Sequence, residues 1–135
     1  MNNSSEYRSY GWWVEHDPNS DRTTLIIGGR IGALRMPAEF AARVHQVLAI
    51  HLQAGPVLVD GADWVLLTQP GGHVELPEDL AEVAAVPAGA RVALPPLDDP
   101  SWISPPRADR PAPSRQVVVS SARRARADAQ LAMTA

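Results

Sequence analysis

Carboxylates, imidazoles and guanidiniums are the side chains best equipped for chemistry in this 135-residue chain: fifteen acids, four histidines and twelve arginines, with no cysteine and no lysine. Among acids close in sequence, Asp60 with Asp63 and Asp98 with Asp99 are the pairs that could act together. Paired carboxylates hold divalent ions for nucleotidyl transfer when they converge from neighbouring strands. Here Asp60-Gly61 and Asp98-Asp99-Pro100 read as turns, where a short acid bonds nearby backbone. The strand interiors the chain offers hold almost no acid. The histidines His16, His45, His51 and His73 are scattered over three segments. His45 and His51 are six apart on one helix, about 120° around its axis, whereas a two-histidine zinc motif uses a spacing of four.

Nucleophiles are no better placed. Without cysteine there is no thiolate nucleophile or thiolate zinc site, and no Gly-x-Ser-x-Gly elbow occurs. Gly28-Gly29-Arg30-Ile31-Gly32 is glycine-rich but lies between two expected strands, whereas a dinucleotide fingerprint opens a helix. Gly71-Gly72-His73 reads as an isolated loop. Two surface features remain. Arg123-Arg124-Ala125-Arg126 sets three guanidiniums within one helical turn, a grip for phosphates or a solvated helix end that complements the dipole. Trp12 and Trp13 are adjacent, so in a strand they point to opposite faces and one belongs on a surface. With Ile50, which falls outside its helix's apolar stripe, they are the expected interface residues, and they make a homo-oligomer the expectation.

These residues need elements to hold them. The length matches one domain and 45% apolar residues suffice for a core without disulfide or metal. Residues 1–10 are polar and read as a flexible N-terminus, 11–103 as an α+β core domain, 104–114 as a proline-rich connector, and 115–135 as a C-terminal helix and tail. The expected fold is a mainly antiparallel mixed sheet with two or three helices. Trp12–His16, Thr23–Ile27 and Ile31–Met36 read as three strands of a meander, with Gly28-Gly29 supplying positive φ at the second turn. Pro37 opens the clearest helix, running to about Gln53, with Phe40, Val44, Val47, Leu48 and Leu52 on one face. Val57–Val59 and Trp64–Thr68 form a hairpin around Asp60-Gly61. A short helix is expected from Pro77 to about Ala85, then strands at Ala90–Leu94 and Trp102-Ile103. Ser114 caps the last helix, whose thin stripe of Val118, Ala122, Ala125 and Ala129 predicts weak docking, in cis or onto a neighbour.

The stretches Gly55-Pro56-Val57-Leu58-Val59, Trp64-Val65-Leu66-Leu67-Thr68-Gln69-Pro70, Gly89-Ala90-Arg91-Val92-Ala93-Leu94-Pro95-Pro96 and Trp102-Ile103-Ser104-Pro105-Pro106 follow one another in a recognisable rhythm. It resembles the N-terminal module of bifunctional DNA primase/polymerases, the Prim-Pol family, and covers residues 31–124. Family members similarly read W-x-F-L-T-x-P on a strand, then V-x-L-P-P, then W-x-x-P-P. Catalytic members also place an Asp-x-Asp or Asp-x-Glu pair on a strand for two metals, with a histidine for the nucleotide phosphates. No strand drawn here has such a pair, so no catalytic residue is carried over. The resemblance implies a shortened relative that keeps the scaffold without its chemistry.

A net charge of −3 argues against a protein that coats nucleic acid by bulk electrostatics. No apolar run reaches the roughly 18–20 residues of a membrane span, and the polar start Met1–Glu6 is not a secretion signal. A cytoplasmic location is expected. So is a non-catalytic regulatory or accessory role through protein contacts, with no cofactor, no metal and no membrane. Two alternatives stay open. One is a nucleotide-handling enzyme using Asp60, Asp63 and His73; the other is a DNA-binding accessory protein using Arg123, Arg124 and Arg126.

Overall fold

The computed structural model describes residues 3–70 and 76–134, with side chains through Leu131. His73 lies outside the described residues. Eleven elements follow in chain order: α1 (Ser4–Ser9), β1 (Val14–Asp17), β2 (Arg22–Ile26), β3 (Gly32–Pro37), α2 (Ala38–Ile50), β4 (Val57–Asp60), β5 (Asp63–Thr68), β6 (Ala84–Ala85), β7 (Arg91–Leu94), β8 (Trp102–Ser104) and α3 (Arg115–Thr134). They build two antiparallel sheets, β1-β2-β7 and β6-β3-β5-β4-β8. The fold is α+β and closes with a C-terminal helix, as the residue pattern predicts.

Period-two alternation sorts the five-stranded sheet into two faces. Leu34, Met36, Val57 and Leu66 point to the side covered by α2 and α3, where they meet Val44, Leu48, Val118 and Ala122. Ala33, Leu58, Val65 and Leu67 point to the other side and pack on Val14, Leu25, Val92 and Leu94 of the three-stranded sheet. The result is three layers around two cores. Strand β5 is buried on both faces, which is why Val65-Leu66-Leu67 reads as an unbroken apolar run. Each such side chain contributes about 1.5–3 kcal/mol on burial.

Several expectations are corrected. Residues 1–10 are not loose throughout: Ser4–Ser9 form α1, and Tyr7, only 1% exposed, plugs the sandwich core against Trp12 and Trp102. The meander breaks after β2. Gly28-Gly29 does not turn β2 back on β3 but leads the chain from one sheet to the other, and neither glycine has positive φ. Ile27 instead bonds the Gly89-Ala90 backbone beside β7. Pro37 ends β3 and stands at the N-cap of α2 instead of within its first turn. Pro77 to Ala85 forms two consecutive turns and the short β6, because so brief a segment gains more from β3 pairing than from nucleating a helix. Its buried side chains, Leu80 and Val83, still reach the helix-side core.

The last helix docks in cis more firmly than its thin stripe predicts. Val118, Ala122 and Ala125 are fully or nearly fully buried, Val119 joins them, and the Ser114 hydroxyl caps the helix by accepting from the Val117 amide at 3.2 Å. Small alanines bring α3 close to the layer beneath, so a narrow stripe suffices.

Candidate functional site

The hairpin acids are spoken for. Asp60 and Asp63 pair across the end of β4 and β5, with Gly61 at φ +63° between them, and both face Arg35 of β3. The guanidinium lies 2.6 Å from the Asp60 carboxylate and 3.7 Å from that of Asp63. Its single positive charge is shared between the two acids, the closer contact being with Asp60. Asp98-Asp99 is a turn: the Asp99 carboxylate accepts from the Ser101 amide at 2.9 Å, and that bond holds its pKa below the ordinary aspartate value. Asp17 behaves likewise, accepting from the Asn19 amide and the Ser20 hydroxyl. Among the described residues no three His, Asp or Glu side chains gather as metal ligands.

The arginine cluster of α3 splits three ways. Arg126 reaches the Asp79 carbonyl and the Glu82 carboxylate, the latter at 2.9 Å, and so anchors the Pro77–Ala85 turns. Arg124 pairs with Asp128 one helical turn on, at 3.3 Å. Arg123 alone has no acidic partner among the described residues, so the triplet does not present one shared phosphate grip. His45 is half-buried on α2 with its Nδ1 unbonded, and burial lowers its pKa. His51 is exposed at the C-cap of that helix.

The three expected interface residues separate. Trp12 is core: its ring stacks on Tyr7 at 5.9 Å between centroids, 9° from parallel. Trp13 points outward, 55% exposed, as alternation requires. Ile50 is 70% exposed on the last turn of α2. It edges a groove of about 340 Å³ between α2 and α3, where Ala125 and Ala129 line the α3 side and Arg43 and Asp128 supply opposite charges.

A second exposed apolar residue, Leu52, lies outside this groove and lines a separate concavity with Gln69, Arg110 and Pro113 of the connector side. Leu52 fits the apolar stripe on paper, yet α2 stops at Ile50 and Leu52 is 92% exposed. The Gln53 amide bonds the Leu48 carbonyl at 2.8 Å and the Leu52 amide bonds that of Ala49 at 3.0 Å. That pairing is a Schellman cap, whose left-handed position normally takes glycine. Leu52 occupies it at φ +57°. A left-handed leucine costs about 1–2 kcal/mol, and here it also leaves the side chain in water. Periodicity hid this, because the apolar stripe carries the expected helix past Leu52 to Gln53, whereas the helix ends at Ile50 with His51 as its C-cap. No protein-family model, curated protein or solved structure matches this chain, so the site stands on its own geometry.

Proposed function

We propose that the chain is a non-catalytic accessory protein that pairs with a second copy of itself through the outer face of α2 and α3, on a Prim-Pol-like scaffold emptied of its chemistry. Ile50, 70% exposed at the edge of the α2–α3 groove, is the observation that carries this reading. A large apolar side chain held in water beside a groove gains from a contact with another molecule. A second copy suits the face better than an unrelated partner because the face is self-complementary. Ile50 stands beside a groove lined by alanines, and a two-fold axis would seat each Ile50 in the opposite groove. Arg43 and Asp128 on the rim would meet their opposites across the same axis. In support of a scaffold without chemistry, Asp60 and Asp63 are held on Arg35.

Sedimentation velocity at micromolar protein tests the pairing. The expected mass is twice the 14.5 kDa protomer. Ile50→Glu should weaken self-association about 30-fold or more, the equivalent of about 2 kcal/mol at an interface anchor. Leu52→Gly, outside this groove, should leave self-association unchanged and stability unchanged or up to about 1 kcal/mol higher, because the left-handed strain is relieved. A wild-type chain that sediments as the protomer overturns the reading. So does a thermal stabilisation by nucleotide that requires Mg²⁺ or Mn²⁺, which would restore the enzyme alternative.

A further inference from the structure

A second concavity lies on the far side of the connector, away from the α2–α3 face. It measures about 360 Å³, within the range of small-molecule sites. Three elements meet there. The end of α1 brings Tyr10, the crossing from β2 to β3 brings Arg30, and the proline-rich connector brings Arg107 and Arg110. Gln69, just past β5, adds a side-chain amide. An isolated bridge between Arg107 and Arg110, with the Arg110 amide on the Arg107 carbonyl at 3.1 Å, sets those two residues opposite each other across a tight turn.

The gathering of three arginines around one concavity is what singles it out. Arg107 pairs with Asp109 at 3.3 Å. Among the described residues Arg30 and Arg110 have no acidic partner, and among the described residues no acid lines the cavity they share. Three cations around one concave surface repel one another unless an anion sits between them. The wall beside them is aromatic: the Tyr10 ring leans on Trp12 at 5.5 Å, and its hydroxyl faces the Pro106 carbonyl at 3.4 Å.

We infer that this cleft binds a small aromatic oxyanion, an aryl phosphate or aryl carboxylate, with its ring against Tyr10 and its anionic head on Arg30 and Arg110. Guanidinium forks bind both head groups in bidentate fashion, and they stack on flat rings. Gln69 can donate a further hydrogen bond to the head. The cavity shares no lining residue with the Ile50 groove, so Ile50→Glu should leave it intact.

Isothermal titration and thermal shift with phenyl phosphate, benzoate, inorganic phosphate and benzyl alcohol test the inference. At least one of the two aryl anions should bind saturably and raise Tm with concentration; the tighter of the two identifies the head group. Arg30→Ala and Arg110→Ala should each weaken it about tenfold or more, as expected for losing a charged hydrogen bond. Arg107→Ala should weaken it less, because that guanidinium already has Asp109. Both exposed arginines can be replaced without disturbing the core, and an unchanged Tm of the free variants confirms it. The inference is overturned if neither aryl anion binds, if the Arg30→Ala/Arg110→Ala double variant binds as well as wild type, or if benzyl alcohol or inorganic phosphate matches the aryl anions.

Discussion

Tyr7 shows how one side chain can fasten distant parts of a chain. Its hydroxyl donates to the Pro95 carbonyl and accepts from the Trp102 indole N–H at 3.0 Å, while its ring stacks on Trp12. Burial pushes its pKa up to about 12. Tyr7→Phe keeps the ring but leaves a half-buried carbonyl and a buried N–H without this partner, so chemical denaturation should show a loss of about 1–3 kcal/mol. The pH effect follows from linkage. Above about pH 10 the unfolded chain releases the phenolic proton while the folded chain keeps it, so stability falls as pH rises from about 10 to 12. Tyr7→Phe should flatten that alkaline limb. His45 acts at the opposite end. Its pKa is lowered by burial, so below about pH 6.5 the unfolded chain takes up a proton that the folded chain refuses. Stability is therefore full above that pH and declines below it, and His45→Leu should reduce the decline in acid-denaturation curves. Tyr7 was illegible in the sequence because Ser4-Ser5-Glu6 and Arg8-Ser9 around it look like a solvated tail. A single buried ring in a six-residue helix leaves no periodic trace.

At the scale of elements, legibility followed the strength of local patterns. The β4–β5 hairpin, α2 and the Ser114 cap could all be read because Asp60-Gly61, a 3.6-residue stripe and a capping hydroxyl are decided within a few residues. The β2–β3 relation and the Pro77–Ala85 segment were misread because pairing partners from elsewhere, β7 and β3, decide them. No local signal shows which sheet a strand joins. For the sites, the hairpin acids flank the turn from the two strand ends, and their partner Arg35, from a strand distant in sequence, left no local sign. Leu52, Arg30 and Arg110 were missed because their meaning depends on a helix end and on a connector folding back. That connector is held at a narrow point. A Cβ on Gly55 would run into the Pro113 ring and stand 3.1 Å from the Ala112 Cα, and the Gln69 amide bonds the Pro113 carbonyl at 2.8 Å. Gly55→Ala should lift the connector, destabilise the protein by about 1–3 kcal/mol as an overpacked core position does, and expose residues 107–113 to limited proteolysis.

On the scale of the whole molecule, α3 is an integral layer. Val118, Ala122 and Ala125 close the helix-side core over Leu66 and Val44, so a chain cut after Ser114 should lose cooperative thermal unfolding and expose surface that binds a hydrophobic dye. No helix among the described residues is long and apolar enough to cross a membrane. The larger sheet is bounded on each side by a stub: β6 has two residues and β8 three, the latter followed directly by Pro105-Pro106. Stubs that short offer a visiting backbone almost no ladder to extend, and proline cannot donate to one. Lateral growth into a continuous ribbon is thereby blocked at both margins. Copies of this chain can meet side chain to side chain, but the larger sheet is closed to strand-by-strand propagation into fibres.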